Sequence, residues 1–332
     1  MMENHAILVK DYVPRSFGKE YWNVKGPPQY PMFAAVALGL KPVMDDWVDV
    51  HDYERLADAC AAYGLVMAPD IVFAPAEGSK EGIIGGRNIT TTYSRGEKFT
   101  GQNTEGQVHI LIARDKQAAS DARKWAWYSL VINGRSTNKP FVDHLRYGKC
   151  LGYPPCCVNF FRTYNNWHLF SNPFETLKNT AFENGNAIGS HYCNNFLMDK
   201  GYSYIHHLPC SYRCKASTAL AQELEKKFDT LEPAFTQTAN RLLRKPLLVF
   251  GEQHFAIFDG ELQKTAGGAS ISYRACQYFR NPSRPEENIA FFDEIQAGDA
   301  LVMNDSHILI KDGTTTIRKA ERKKEWFLID FD

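Results

Sequence analysis

The chain lacks an excess of either charge: 38 lysines and arginines balance 38 aspartates and glutamates over 332 residues. A duplex-binding protein carries a basic face that shows as net positive charge. Its absence confines any nucleic-acid contact to a local patch. Long apolar runs are also missing, and none approaches the ~18 to 20 residues of a membrane span. The opening Met1-Met2-Glu3-Asn4-His5 has neither the basic nor the apolar region of a secretory leader. The cytoplasm is the expected location, with no membrane partner. There is no Walker A pattern and no CxxxCxxC triplet, which argues against P-loop hydrolysis and against radical S-adenosylmethionine chemistry. Internal repeats and low-complexity segments are absent too.

What is present is an ordinary globular composition, 44% apolar and 23% charged, with a rather high aromatic content of 13%. The length suits two domains of about 100 to 200 residues. The expected fold class is α/β (α+β). A mixed α/β domain over 1–245 would carry a helical, cysteine-bearing region, and 246–332 would form a small antiparallel β domain. In the first part, Tyr30 to Leu40 and Asp49 to Tyr63 read as helices, and Leu65 to Phe73 and Val108 to Ala113 as strands. The glycine-rich run Glu77 to Thr104 reads as a loop. Helices are expected over Asp115 to Leu130, Pro140 to Tyr147, Pro154 to Tyr164, Pro173 to Phe182 and His191 to Met198. A short strand, Tyr202 to Leu208, then precedes a long helical stretch kinked or restarted at Pro233. Beyond Pro246 the apolar period becomes two, and Asp259-Gly260 and Asp312-Gly313 are expected to turn two hairpins. The basic run Arg318 to Lys324 reads as a solvated strand edge.

Six of the eight cysteines lie between Cys150 and Cys214. In a reducing compartment, thiols gathered this closely point to ligands rather than disulfides. Pro154-Pro155 suits the start of a helix, which puts Cys156 and Cys157 in a first turn, where unpaired N–H groups and the helix dipole favour a thiolate. The second group, His207-Leu208-Pro209-Cys210-Ser211-Tyr212-Arg213-Cys214, repeats the arrangement, with Ser211 as the expected cap of a following helix. Two helix starts meeting at one point would offset the charge of several thiolates, as an iron–sulfur cluster or a zinc site requires. Cys210, Cys214 and at least one of Cys156 and Cys157 are therefore expected ligands. The other adjacent cysteine, His207 or Cys150 competes for the fourth place. Cys60 and Cys276 read as buried apolar residues. His206 and His207, placed on a strand, would face opposite ways, so only His207 is expected to look into the site.

The run Gly148-Lys149-Cys150-Leu151-Gly152-Tyr153-Pro154-Pro155-Cys156-Cys157, followed by the His207 to Cys214 group and Ser217, resembles a prokaryotic family described only as a domain of unknown function, the 483-like family, with its LGYPxCC and HxPCSxxC motifs. The resemblance spans roughly Arg114 to Leu224. It implies site roles for Cys156, Cys157, His207, Cys210 and Cys214, and extends to His144 and to Asn194 and Asn195. Cys150 stands where the family pattern has leucine, which lowers its standing as a ligand.

The reading that joins these features is an iron–sulfur metalloenzyme, of the 4Fe-4S kind, transferring sulfur to a small polar molecule or modified nucleoside or acting on it as a Lewis acid. Cys156, Cys157, Cys210 and Cys214 would hold the cofactor. His207 or His144 would move a proton, and Asn194 or Asn195 would orient substrate. A protein partner would supply sulfur or electrons. Two alternatives stay open: a structural zinc in a binding module for a nucleic acid or protein, and a thiol enzyme with Cys157 or Cys210 as nucleophile.

Overall fold

A computed structural model describes residues 12–69, 106–128, 141–164, 173–180, 186–251, 254–265, 267–279, 289–324 and 326–332, with a few short strand backbones between 74 and 136. The chain folds as an α/β protein with an antiparallel β region toward its C-terminal side. No helix among the described residues is long and apolar enough to cross a membrane.

The N-terminal part begins with helices α1 (Lys19–Lys25) and α2 (Tyr30–Ala37). Strand β1 (Val43–Asp49), helix α3 (Tyr53–Ala61) and strands β2 (Val66–Pro69) and β3 (Gln107–Ala113) follow. β3 is antiparallel to both β1 and β2. Its Val108, Ile110 and Ile112 pack on α2 and α3, while Leu111 and Ala113 face α4 (Lys116–Arg123). That alternation is the period of a strand covered on both faces. The expected strand Leu65 to Phe73 is described only to Pro69, and the glycine-rich run Glu77 to Thr104 lies outside the described residues apart from short strand backbones.

Several expected elements are shorter or different. The helix from Asp115 stops at Arg123, because Ala126–Trp127 pairs as a strand with Phe141–Val142 and the Trp127 and Phe141 rings stack 4.5 Å apart. α5 (His144–Cys150) starts later than expected: Asp143 is its N-cap, accepting the Arg146 N–H, and Phe141 and Val142 lie in the strand before it. α6 (Pro155–Tyr164) begins where the proline pair places it. The helix expected over His191 to Met198 reduces to a single 3-10 turn, His191–Cys193, since the Asn194 side chain takes the Phe196 N–H that a helix would use. No strand forms over Tyr202 to Leu208. Ser203 bonds both the N–H and the carbonyl of Ile205 through its hydroxyl, replacing a strand ladder with a local turn. After α7 (Pro173–Lys178) come strand β4 (Asn186–Gly189) and helices α8 (Lys215–Leu231) and α9 (Pro233–Leu243), so Pro233 starts a new helix.

The remaining strands are β5 (Leu247–Gly251), β6 (His254–Thr265), β7 (Gly268–Phe279), β8 (Ala300–Asn304), β9 (His307–Asp312), β10 (Thr315–Glu321) and β11 (Phe327–Phe331). They form one eight-stranded sheet in the order β4-β11-β5-β6-β7-β8-β9-β10. Only the β4–β11 pair is parallel. Asp259-Gly260 does not turn a hairpin. It is a bulge inside β6, where a side chain at 260 would sit 2.1 Å from the Ser272 carbonyl oxygen, and the turn falls between Thr265 and Gly268. Asp312-Gly313 does turn a hairpin, with Gly313 at φ 56. β10 ends the sheet order, and its exposed Arg318 and Lys319 make it the solvated edge expected.

The two sheet faces bury different layers. Leu247, Val249, Ile257 and Ile329 meet α8, α9 and the cysteine segments, whereas Leu248, Phe258, Ile271 and Leu328 meet α10 (Ile289–Ala297). Gly189 is the joint between sheet and cysteine segments. A side chain there would lie 2.7 Å from Tyr212 Cβ and 2.9 Å from the Phe331 ring. Only glycine lets β4 pass between them.

Candidate metal centre and adjoining cavity

Two chain segments bring four sulfurs together. Cys156 and Cys157 are the second and third residues of α6, Cys210 lies in the loop before α8, and Cys214 is the N-cap of α8. Ser211 is not the cap. Its carbonyl accepts the Cys214 N–H and its hydroxyl accepts the Arg213 N–H, which bends the loop so that Cys214 takes the cap position. The loop is pinned from α7 and the turn that follows it: Thr176 donates to the Pro209 carbonyl at 2.8 Å, Asn179 donates to the Cys210 carbonyl at 2.6 Å, and Thr180 accepts the Tyr212 N–H at 3.0 Å.

All four sulfurs lie within 4.8 Å of one another. Cys156 is 3.9 Å from Cys157 and 3.7 Å from Cys214, and Cys157 is 3.6 Å from Cys214. Bonds of about 2.3 Å to one tetrahedral ion would set sulfurs ~3.8 Å apart. The donor set therefore fits a metal. Its electrostatics point the same way: Cys157 donating to Cys214 holds the Cys214 thiol well below the ordinary range, and that same bond, with burial, pushes Cys157 up. Burial and the neighbouring Cys214 charge likewise raise Cys210. The cluster holds its first negative charge readily and resists further ones without a cation. Cys150 does not belong to the group. It sits at the end of α5, and burial raises its thiol. Cys193 is buried against Thr218 and the Cys214 carbonyl, and Cys60 and Cys276 are buried in separate cores.

Cys157 also belongs to the wall of a cavity of about 330 Å³. Its Sγ is 3.3 Å from Ser217 Oγ, which is 2.8 Å from His207 Nε2. The other ring nitrogen, His207 Nδ1, is buried and has no partner among the described residues. Burial pushes His207 down to about 3 and His206 to about 4, so both rings are neutral at physiological pH. Because no strand forms here, the two side chains do not alternate, and both His206 and His207 line the cavity.

The remaining expected residues divide. His144, the first residue of α5, lines the cavity beside Phe161, with burial lowering its pKa. Asn195 also lines it, donating to the His207 carbonyl. Asn194 is turned away: it is 1% exposed and braces the fold, donating to the Leu243 carbonyl at 2.8 Å and accepting the Phe196 N–H.

Sequence reasoning missed the opposite wall. Asp45 on β1 lines the cavity and lies 3.4 Å from His109 Nε2 on β3. Burial raises the Asp45 carboxyl, but the bond and charge of His109, together with the nearby His206 and Lys41, outweigh it and leave the group below its ordinary value. A carboxylate in Val43-Met44-Asp45-Asp46 and a histidine in Val108-His109-Ile110, each inside an apolar strand, were the available signals. Ser217, at 0% exposed on α8, was visible only as a motif position. No protein-family model, no curated protein and no solved structure matches this chain.

Proposed function

We propose that the protein is a metal-dependent enzyme in which Cys156, Cys157, Cys210 and Cys214 hold a single ion and the adjoining cavity holds a small polar substrate. One observation carries this reading. Cys157 belongs at once to the sulfur group and to the cavity wall, in a hydrogen-bonded row with Ser217 and His207.

The sulfur spacing supports one tetrahedral ion, zinc being the natural guest of four thiolates, over the 4Fe-4S cluster expected from the sequence. A four-iron cluster binds each cysteine to a different iron and so needs the sulfurs further apart. A zinc ion here would neutralise thiolate charge and fix α6 against the 203–214 segment. Four thiolates fill its coordination, which suits a part in shaping the cavity rather than in receiving substrate. The proton chemistry then belongs to the chain itself. His144 is half-buried at the wall and is the proton carrier, while the neutral His207 and Asn195 position the substrate. Acid–base chemistry on a small molecule is the reaction class.

The filled thiolate shell and the exposed basic β10 also favour a zinc-stabilised binding module, but that reading leaves the histidine-lined cavity without a use. Metal analysis of anaerobically purified protein is the test. One zinc per chain is expected. Four irons with four sulfides and a brown colour would restore the cluster and sulfur transfer, and metal-free protein with a fast-alkylating cysteine would favour a thiol nucleophile.

A further inference from the structure

The cavity presents an unusual set of groups. Asp45 lies on one wall and the exposed Asp199 at its rim, and no lysine or arginine is among its described lining residues. Lys41 lies outside it. Its ammonium stands over the Tyr153 ring, 3.9 Å from the centroid, and the residue lines a smaller cavity together with His206 and His207. Burial lowers Lys41 to about 7, which weakens even that positive charge.

The tautomer of His207 follows from the sulfur site, so this step rests on the metal reading. A metal-bound Cys157 thiolate only accepts hydrogen bonds, so the Ser217 hydroxyl donates to it. The Ser217 oxygen then accepts from His207 Nε2–H, and Nδ1 is left as a bare lone pair. A buried acceptor without a donor is costly, and a ligand that donates to it removes the cost. His207 is 7% exposed, so solvent reaches it little. Tyr153, whose ring lies 5.1 Å from that of His207, and Tyr128 add aromatic surface to the same wall.

Carboxylate, bare imidazole nitrogen and aromatic faces share one preference. We propose that the cavity takes a small organic cation, a primary ammonium or amidinium compound, with its charge set against Asp45 and a second N–H or O–H donated to His207 Nδ1. Anionic metabolites such as phosphates and carboxylates meet Asp45 and Asp199 there, with no lysine or arginine among the described lining residues to receive them, and are disfavoured. The Tyr128 ring on the lining adds cation–π attraction for the same class.

Calorimetric titration of the metal-loaded full chain with three probes of similar size tests this: phenethylamine, phenylacetate and phenethyl alcohol. Phenethylamine should bind at least about tenfold more tightly than either of the others, as a charge-assisted hydrogen bond provides. Asp45→Asn should abolish that preference while the metal content stays at the wild-type level. Met198→Trp, which narrows the cavity, should weaken phenethylamine. Phenylacetate binding as tightly as phenethylamine, with both blocked by Met198→Trp, overturns the cation assignment and leaves the cavity as the substrate site. Binding of none of the three to metal-loaded wild type overturns both. If Asp45→Asn fails to fold, the wild-type ranking of the three probes decides alone.

Discussion

The two segments that supply the sulfurs are built on opposite principles. α6 is a regular helix whose first turn carries Cys156 and Cys157, positioned by backbone geometry that prolines dictate. The 203–214 segment has no regular element. It is held by side-chain bonds, one internal, from Ser203 to Ile205, and the others from its neighbours: Thr176 to Pro209, Asn179 to Cys210, and Ser217 to His207. A helix presents ligands because its local sequence demands it, whereas the loop presents them because other parts of the fold pull it into place. If the proposed metal is removed, the first should keep its structure far better than the second.

Cys157→Ser tests this most strongly. It removes the sulfur that touches Cys214, Ser217 and the Cys210 N–H, so metal content should fall close to zero with a loss of several kcal/mol of stability. Amide exchange should then rise throughout 203–214 and little beyond the first turn of α6. Equal loosening of both segments would defeat the comparison. Ser217→Ala keeps all four ligands and cuts only the row to His207. Metal affinity, measured by competition with a chelating dye, should drop about 10- to 100-fold.

The loop also carries the acid sensitivity. His206 titrates near 4 in the folded chain against an ordinary 6.5, so the unfolded chain binds the extra proton between those values and stability falls as pH drops through that window. The loss attributable to His206 should be about 2.5 kcal/mol from pH 6.5 to 4, and His206→Gln should lower the slope of the urea-unfolding profile there by roughly half, leaving the share of His207. An unchanged slope would assign the sensitivity elsewhere. Thr176→Val is the mildest change. It strips the buried Pro209 carbonyl of its donor and should cost about 1 kcal/mol by thermal unfolding, with a larger increase in exchange at 209–212 than in α6.

This contrast also explains what could be read from the residues. The α6 start, the α8–α9 break at Pro233 and the Asp312-Gly313 hairpin rest on local rules, and all appear where those rules place them. The four cysteines were legible because thiols of this density in a reducing setting have few other uses. The strand expected over Tyr202 to Leu208 failed because Ser203 offered its backbone a nearer partner. Asp259-Gly260 failed as a turn because glycine serves close backbone contact in a bulge as readily as a hairpin. The Asp45 wall was invisible for another reason: Asp45 lies more than 100 positions from Cys157 in the chain, and only the packing of β1 and the cysteine segments on one cavity joins them.

The parallel pairing of β4 with β11 has a kinetic consequence. Its partners, such as Asn186 and Leu328, are about 140 positions apart, and a contact of such high order closes late because its loop entropy must be overcome first. Gly189 threads between Tyr212 and Phe331, so the Cys210–Cys214 loop acquires its final seat only when that distant strand arrives. The thiols should thus stay uncovered until late in refolding, and oxidants present then should trap the chain through mispaired cysteines before the site is sealed.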